Sequence, residues 1–278
     1  MTRVAVALAA SAFALGAEDL QSAMNRVMKG RAGTAVALDM DSGRIVAKYN
    51  LEVAARRLAR PGSVIKPFTL LALPAGRTLR CPGKLRIGRR QMDCTHAPAS
   101  APFDAVTALA YSCNNYFASA AAGLRNSDLV ETFTRAGLIS RTGLYDGEAI
   151  GELTPPASME ARQLLSLGES NILVTPLALV SAYRKLALMK KPVVSEGLEA
   201  ATEYGTARLA QPPGVKVAGK TGTASDPRGG NVHAWFAGYA PARSPRVALV
   251  VFLEQGVGGR DAAPIAGELF QVFKSVNE

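Results

Sequence analysis

The stretches with strand character in this 278-residue chain sit at its two ends, and the middle reads as helix. Near the start, Thr34 to Asp39 and Arg44 to Tyr49 flank the turn residues Asp41-Ser42-Gly43, the pattern of a hairpin. Near the end, Val215 to Thr223, His233 to Tyr239 and Val247 to Glu254 are three further strands, separated by turn residues at 226–230 and 241–245. Two strands and three strands held apart by about 165 residues must join one sheet or leave two faces uncovered. The expected fold is therefore α+β: a five-stranded antiparallel sheet flanked by helices, with an inserted all-helical subdomain. The boundaries read as sheet parts about 30–62 and 200–278 and a helical part about 63–199.

The middle carries the helical signals. Val64 to Leu73 is an apolar run that ends near Pro74, Asp104 caps Ala105 to Tyr111, Asn115 to Leu124 is helical, and Gly137 stops a helix that begins at Ser127. Thr175-Pro176 opens an amphipathic helix to about Met189, and Ala262 to Val276 closes the chain as another. Residues 76–101 and 138–156 read as surface loops. Hydrophobic content of 48% is ample for a core at this length.

Three short strings carry chemistry. In Arg60-Pro61-Gly62-Ser63-Val64-Ile65-Lys66-Pro67, a hydroxyl and an amine lie three residues apart at a helix start, where one face presents both and the positive end of the helix favours developing negative charge. Ser112-Cys113-Asn114 sits at a junction between two helices, and Lys220-Thr221-Gly222-Thr223 lies on a strand. Serine-x-x-lysine alone is a common accident. The last string has a chance expectation on the order of 0.01 per chain, so the three in this order are informative. The two histidines, His96 and His233, do not suggest a Ser-His-Asp triad, and Glu148 and Glu152 sit in a loop with no acid-base arrangement.

The formal charge of +10, 32 basic against 22 acidic residues, is spread without a basic run, which argues against nucleic acid and fits an anionic envelope or substrate. Met1 to Ala17 is similar to a secretory signal peptide, with Arg3 ahead of an apolar run too short for an ordinary membrane span; retention as an anchor is the alternative. The mature domain is then 18–278, periplasmic or otherwise extracytoplasmic. In such a compartment Cys81 and Cys94, which flank twelve residues, are candidates for a disulfide. Cys113 reads as a small buried filler, and without a Cys-x-x-Cys pair or histidine cluster no metal is expected.

Nearly all of 33–277 resembles the transpeptidase domain of penicillin-binding proteins, especially class B. Beyond the three strings the likeness includes Thr142-Gly143-Leu144 to Gly151-Glu152-Leu153, Val174-Thr175-Pro176-Leu177, and His233-Ala234-Trp235-Phe236-Ala237-Gly238-Tyr239. The resemblance implies a peptidoglycan D,D-transpeptidase that needs no cofactor. Ser63 would be the nucleophile, Lys66 its base and Ser112 a proton relay, while Asn114, Lys220, Thr221, Gly222 and Thr223 would bind the stem peptide or a β-lactam. D,D-carboxypeptidase and serine β-lactamase are alternative outcomes of the same acyl-enzyme, and a β-lactam sensor is the non-enzymatic one. No Glu-x-x-Leu-Asn string of the class A β-lactamase kind is present. Class B proteins usually carry a membrane span and a pedestal domain, and only about 30 residues precede the first strand here, which implies a minimal member or a glycosyltransferase or other cell-wall partner.

Overall fold

The computed structural model describes residues 18–97, 100–226 and 229–277; the leader read at 1–17 lies outside them. The chain begins with α1 (Leu20–Met28), capped by Asp19, whose side chain accepts from the Ser22 amide. The hairpin β1 (Gly33–Asp39) and β2 (Ile45–Tyr49) follows, then α2 (Leu51–Arg56). A 3-10 turn over Gly62–Ile65 runs into α3 (Lys66–Ala72). The segment expected to be a plain loop holds a small hairpin, β3 (Arg86–Ile87) and β4 (Arg90–Gln91). Then come α4 (Ala105–Ala110), α5 (Asn114–Ala121), α6 (Asn126–Ala136), β5 (Glu152–Leu153), α7 (Met159–Ser166), β6 (Ile172–Leu173), α8 (Pro176–Leu188) and α9 (Pro192–Glu203). Strands β7 (Ala218–Ser225), β8 (Val232–Ala240) and β9 (Val247–Leu253) precede α10 (Ala263–Asn277).

The sheet is five-stranded and antiparallel, as the strand signals required, in the order β2-β1-β9-β8-β7. The early hairpin joins the late strands through β1 against β9, with Gly33 opposite Leu253 and Asp39 opposite Val247. Alternation along each strand divides the core into two layers. Val36, Leu38, Trp235, Val250 and Phe252 face the inserted helices, while Ala35, Ala37, Phe236, Leu249 and Val251 face α1 and α10. That leaves β7 with one unpaired edge, and the 3-10 turn that carries Ser63 packs beside it. Among the described residues no helix is long and apolar enough to cross a membrane.

Candidate active site

The serine turn is 3-10 rather than α for a reason written in the next residues. Pro67 has no amide hydrogen, so the Ser63 carbonyl has no i+4 donor and accepts from the Lys66 amide instead. In a 3-10 turn residues i and i+3 eclipse, so the backbone places Ser63 and Lys66 on the same side of the turn. Gly62 enters the turn at φ 53°, and a Cβ there would stand 2.8 Å from the Thr223 carbonyl oxygen. The nucleophile turn is thus seated directly on the strand that carries the third string.

Lys66 is wholly buried. Its Nζ donates to the Ser112 carbonyl oxygen at 2.7 Å, to Ser112 Oγ at 3.1 Å and to Asn114 Oδ1 at 2.6 Å. Burial is the main cause that brings its pKa down to about 8. Ser112 occupies the left-handed region at φ 57°, a conformation that costs a non-glycine residue free energy and is retained where the surroundings fix it. It turns the chain between α4 and α5 so that the Ser112 carbonyl and hydroxyl both meet the same amine. Asn114 opens α5, and its amide is held from behind, donating to the Met92 and Asp93 carbonyls at 3.0 and 3.3 Å.

On β7, Gly222 faces the serine turn. A Cβ there would lie 2.8 Å from the Pro61 carbonyl oxygen and 3.1 Å from the Val64 amide. The turn packed on the strand requires the glycine, which also lines the cleft. Lys220 is wholly buried, donating to Thr206 Oγ1 at 3.3 Å and the Thr221 carbonyl at 3.1 Å. Its pKa is pushed well below the usual lysine range by burial first and by the positive Lys66 second. Thr223 Oγ1 accepts from the Gly258 amide at 3.0 Å.

These groups surround one cleft of about 530 Å³, lined by Ser63, Ser112, Asn114, Thr221, Gly222 and Thr223. Three distant strings therefore converge as the sequence reading expected. Other lining residues escaped that reading. Thr206, in the connection before β7, bonds both Lys220 and Thr221 but is an isolated threonine in a loop with no recognisable pattern. Glu169 lines the cleft and pairs with Arg90 at 2.9 Å, although burial raises its carboxyl pKa. Cys81 and Cys94 come together as their spacing suggested, yet the expected bridge is absent: both are free thiols with sulfurs 3.6 Å apart. His233 is buried among Arg57, Asp226 and Glu254 at the far end of β8 and belongs to a structural ion network.

The family model for the penicillin-binding protein transpeptidase domain matches residues 33–200 and 191–271, nearly all of the chain that forms the sheet and its helices. This chain belongs to that family. The transpeptidase domain is also similar to curated relatives over short stretches. It is 48% identical over 62 residues to the peptidoglycan D,D-transpeptidase PbpA of Mycobacterium tuberculosis, 19% of this chain and 13% of the relative. It is 43% identical over 77 residues to PbpA of Mycolicibacterium smegmatis, 24% of this chain and 16% of the relative. The matched stretches thus span well under a fifth of either relative's length.

Solved structures extend the likeness in shape. Penicillin-binding protein 2 of Pseudomonas aeruginosa, solved in complex with WCK 5153, superposes at a TM-score of 0.81 with 22% identity, covering 91% of this chain and 76% of that one. The transpeptidase domain of penicillin-binding protein 3 of Burkholderia pseudomallei gives 0.82 with 20% identity, covering 93% and 94%. At those identities the comparison establishes the fold.

Proposed function

We propose that this domain is a serine acyltransferase acting on D-Ala-D-Ala ends of peptidoglycan stem peptides, a D,D-transpeptidase that β-lactams acylate. The observation that carries the reading is the buried Lys66 amine, which joins the Ser63 turn to Ser112 and Asn114 beneath the open edge of β7. Ser63 Oγ attacks the carbonyl of the penultimate D-alanine and its proton passes to Lys66. Ser112 relays a proton to the departing nitrogen, so that free D-alanine leaves and an ester to Ser63 remains. An acceptor amine then attacks that ester, regenerating the hydroxyl. The Ser63 and Thr223 amides supply the oxyanion hole, Asn114 holds the substrate amide, and Lys220 with Thr221 and Thr223 receives the terminal carboxylate. Gly222 keeps the turn and strand close enough for both amides to serve.

Hydrolysis in place of transfer needs a base for water. Glu169, the buried carboxylate lining the cleft, is engaged by Arg90, which favours transfer. The substrate lies outside the cytoplasmic membrane, so we place the domain there, with residues 1–17 as its export leader. Penicillin-binding protein 2 of Helicobacter pylori, of similar fold at 17% identity and a TM-score of 0.82, was solved in complex with MreC, and a cell-wall partner of this sort fits the present domain as well.

The test is acylation by a fluorescent penicillin followed by peptide mass spectrometry, then exchange of the terminal D-alanine of a stem pentapeptide for a labelled D-amino acid. A long-lived adduct on Ser63 with exchange outpacing hydrolysis is expected. Rapid loss of the adduct would replace the reading with a β-lactamase, and hydrolysis without exchange would replace it with a carboxypeptidase.

A further inference from the structure

Behind the Ser112 turn lies a cluster that the acyl-transfer chemistry does not use. Cys81 and Cys94 bracket the β3-β4 hairpin, His96 follows two residues later, and Cys113 is the middle residue of Ser112-Cys113-Asn114. The three Sγ atoms and a histidine nitrogen all lie within 4.8 Å of one another. Cys81 Sγ is 3.6 Å from Cys94 Sγ, which is 3.8 Å from Cys113 Sγ. A tetrahedral ion with metal–sulfur bonds of about 2.3 Å sets its sulfurs about 3.8 Å apart, so the thiols already stand at ligand spacing.

Two independent observations point the same way. His96 Nε2 is buried without a hydrogen-bond partner, while Nδ1 is 2.8 Å from the Ala97 carbonyl. Donation from Nδ1 fixes the tautomer whose Nε2 lone pair is free, the arrangement of a metal-binding imidazole. Each sulfur in turn accepts one N–H: Cys81 from the Gly83 amide at 3.3 Å, Cys94 from the Asn115 side chain at 3.4 Å, Cys113 from the Tyr116 amide at 3.5 Å. Neutral thiols are weak acceptors, and three sulfurs each given a donor is what thiolate ligands require.

We propose that Cys81, Cys94, His96 and Cys113 bind one zinc ion in a closed tetrahedral site. This reverses the sequence expectation of no metal and explains all four groups, where a Cys81–Cys94 disulfide would leave Cys113 outside the bridge and His96 Nε2 unpartnered. Three thiolates and an imidazole suit zinc, and four protein ligands leave no open position, so the ion is structural. Its location gives it a role. It ties the chain just after Met92 and Asp93, whose carbonyls hold Asn114, to the turn that presents Ser112. Binding releases the thiol protons as the sulfurs become ligands.

The experiment uses the full chain purified under reducing conditions without chelator. Expected are one zinc per chain by elemental mass spectrometry, and, after exchange for cobalt(II), the intense visible bands of tetrahedral coordination with sulfur-to-cobalt charge transfer. Cys81, Cys94 and Cys113 should resist alkylation until a strong chelator is added. His96→Ala and Cys81→Ser should lose the zinc on gel filtration against chelator; should either variant not fold, the cobalt titration of the unaltered protein decides. Chelation should also slow acylation by a fluorescent penicillin on the order of tenfold, with the circular dichroism of the folded chain retained. A reduced protein that takes up neither zinc nor cobalt, or a Cys81–Cys94 disulfide in exported material, overturns the site whatever the acylation assay gives.

Discussion

Lys66 Nζ and Asn114 Oδ1 are 2.6 Å apart, and with the two bonds to Ser112 this uses all three hydrogens of an ammonium group. On losing a proton the amine keeps two donors and gains a lone pair. In the proposed acyl transfer the neutral amine is the competent form, and Ser112 and Asn114 hold it in place. Lys66→Ala is expected to reduce the second-order rate of penicillin acylation by about a hundred- to ten-thousandfold while the chain stays folded, the typical contribution of a general base. Wild-type acylation by that variant, timed by gel fluorescence, would remove Lys66 from the mechanism.

Burial lowers the Lys66 pKa to about 8, and this fixes a pH profile. Below that value the neutral fraction falls about tenfold per pH unit, so acylation should rise with unit slope on a logarithmic plot from pH 6 and level off above about 8. Stopped-flow labelling across that range checks it. A flat profile between pH 6 and 8 would show that the amine is not the titrating base.

The Gly222 position is also testable. A methyl group there meets the Pro61 carbonyl at 2.8 Å and the Val64 side chain at 3.0 Å, both parts of the turn that presents Ser63. Gly222→Ala should push the turn off the strand, costing about 1–3 kcal/mol of stability through overpacking. Acylation should fall on the order of tenfold or more, since a small misplacement of the reacting groups is costly. An alanine variant with the parent urea midpoint and acylation rate would contradict the packing described.

Much of this was legible in the chain. The five strands carried clear runs and turn residues, and the three strings announced their chemistry because each needs a fixed residue type at a fixed spacing. The hidden parts have physical reasons. α9 begins at Pro192 without a capping side chain and contains Gly197, a helix-weakening residue that is there because α4 presses close: a Cβ would lie 2.8 Å from Leu109 Cδ2. The sequence reading assigns no element between Met189 and Val215. The 3-10 form of the serine turn depends on the missing amide of Pro67, a backbone effect that side-chain periodicity does not register. The thiol cluster draws on two loops and the start of α5, so no single spacing betrays it.

The last prediction concerns the far end of the sheet, where Arg57 joins the start of the chain to its finish. Its guanidinium donates to Glu254 at 2.7 and 2.9 Å and to Asp226 at 2.9 Å, and its Nη2 lies 3.3 Å from His233 Nε2. Asp226 and His233 are buried and Arg57 nearly so, with 14% of its side chain exposed. Removing the cation takes the guanidinium from both Glu254 and the buried Asp226, and breaking a buried pair by deleting one partner costs about 3–5 kcal/mol. Arg57→Ala should lower the unfolding free energy by that amount in urea titrations. Asp226→Asn should cost less, because Glu254 still pairs with the guanidinium. Arg57 is not among the groups around Ser63, so folded Arg57→Ala at low temperature should acylate near the parent rate. Equal stability of Arg57→Ala and the parent would mean that this network does not hold the ends of the sheet together.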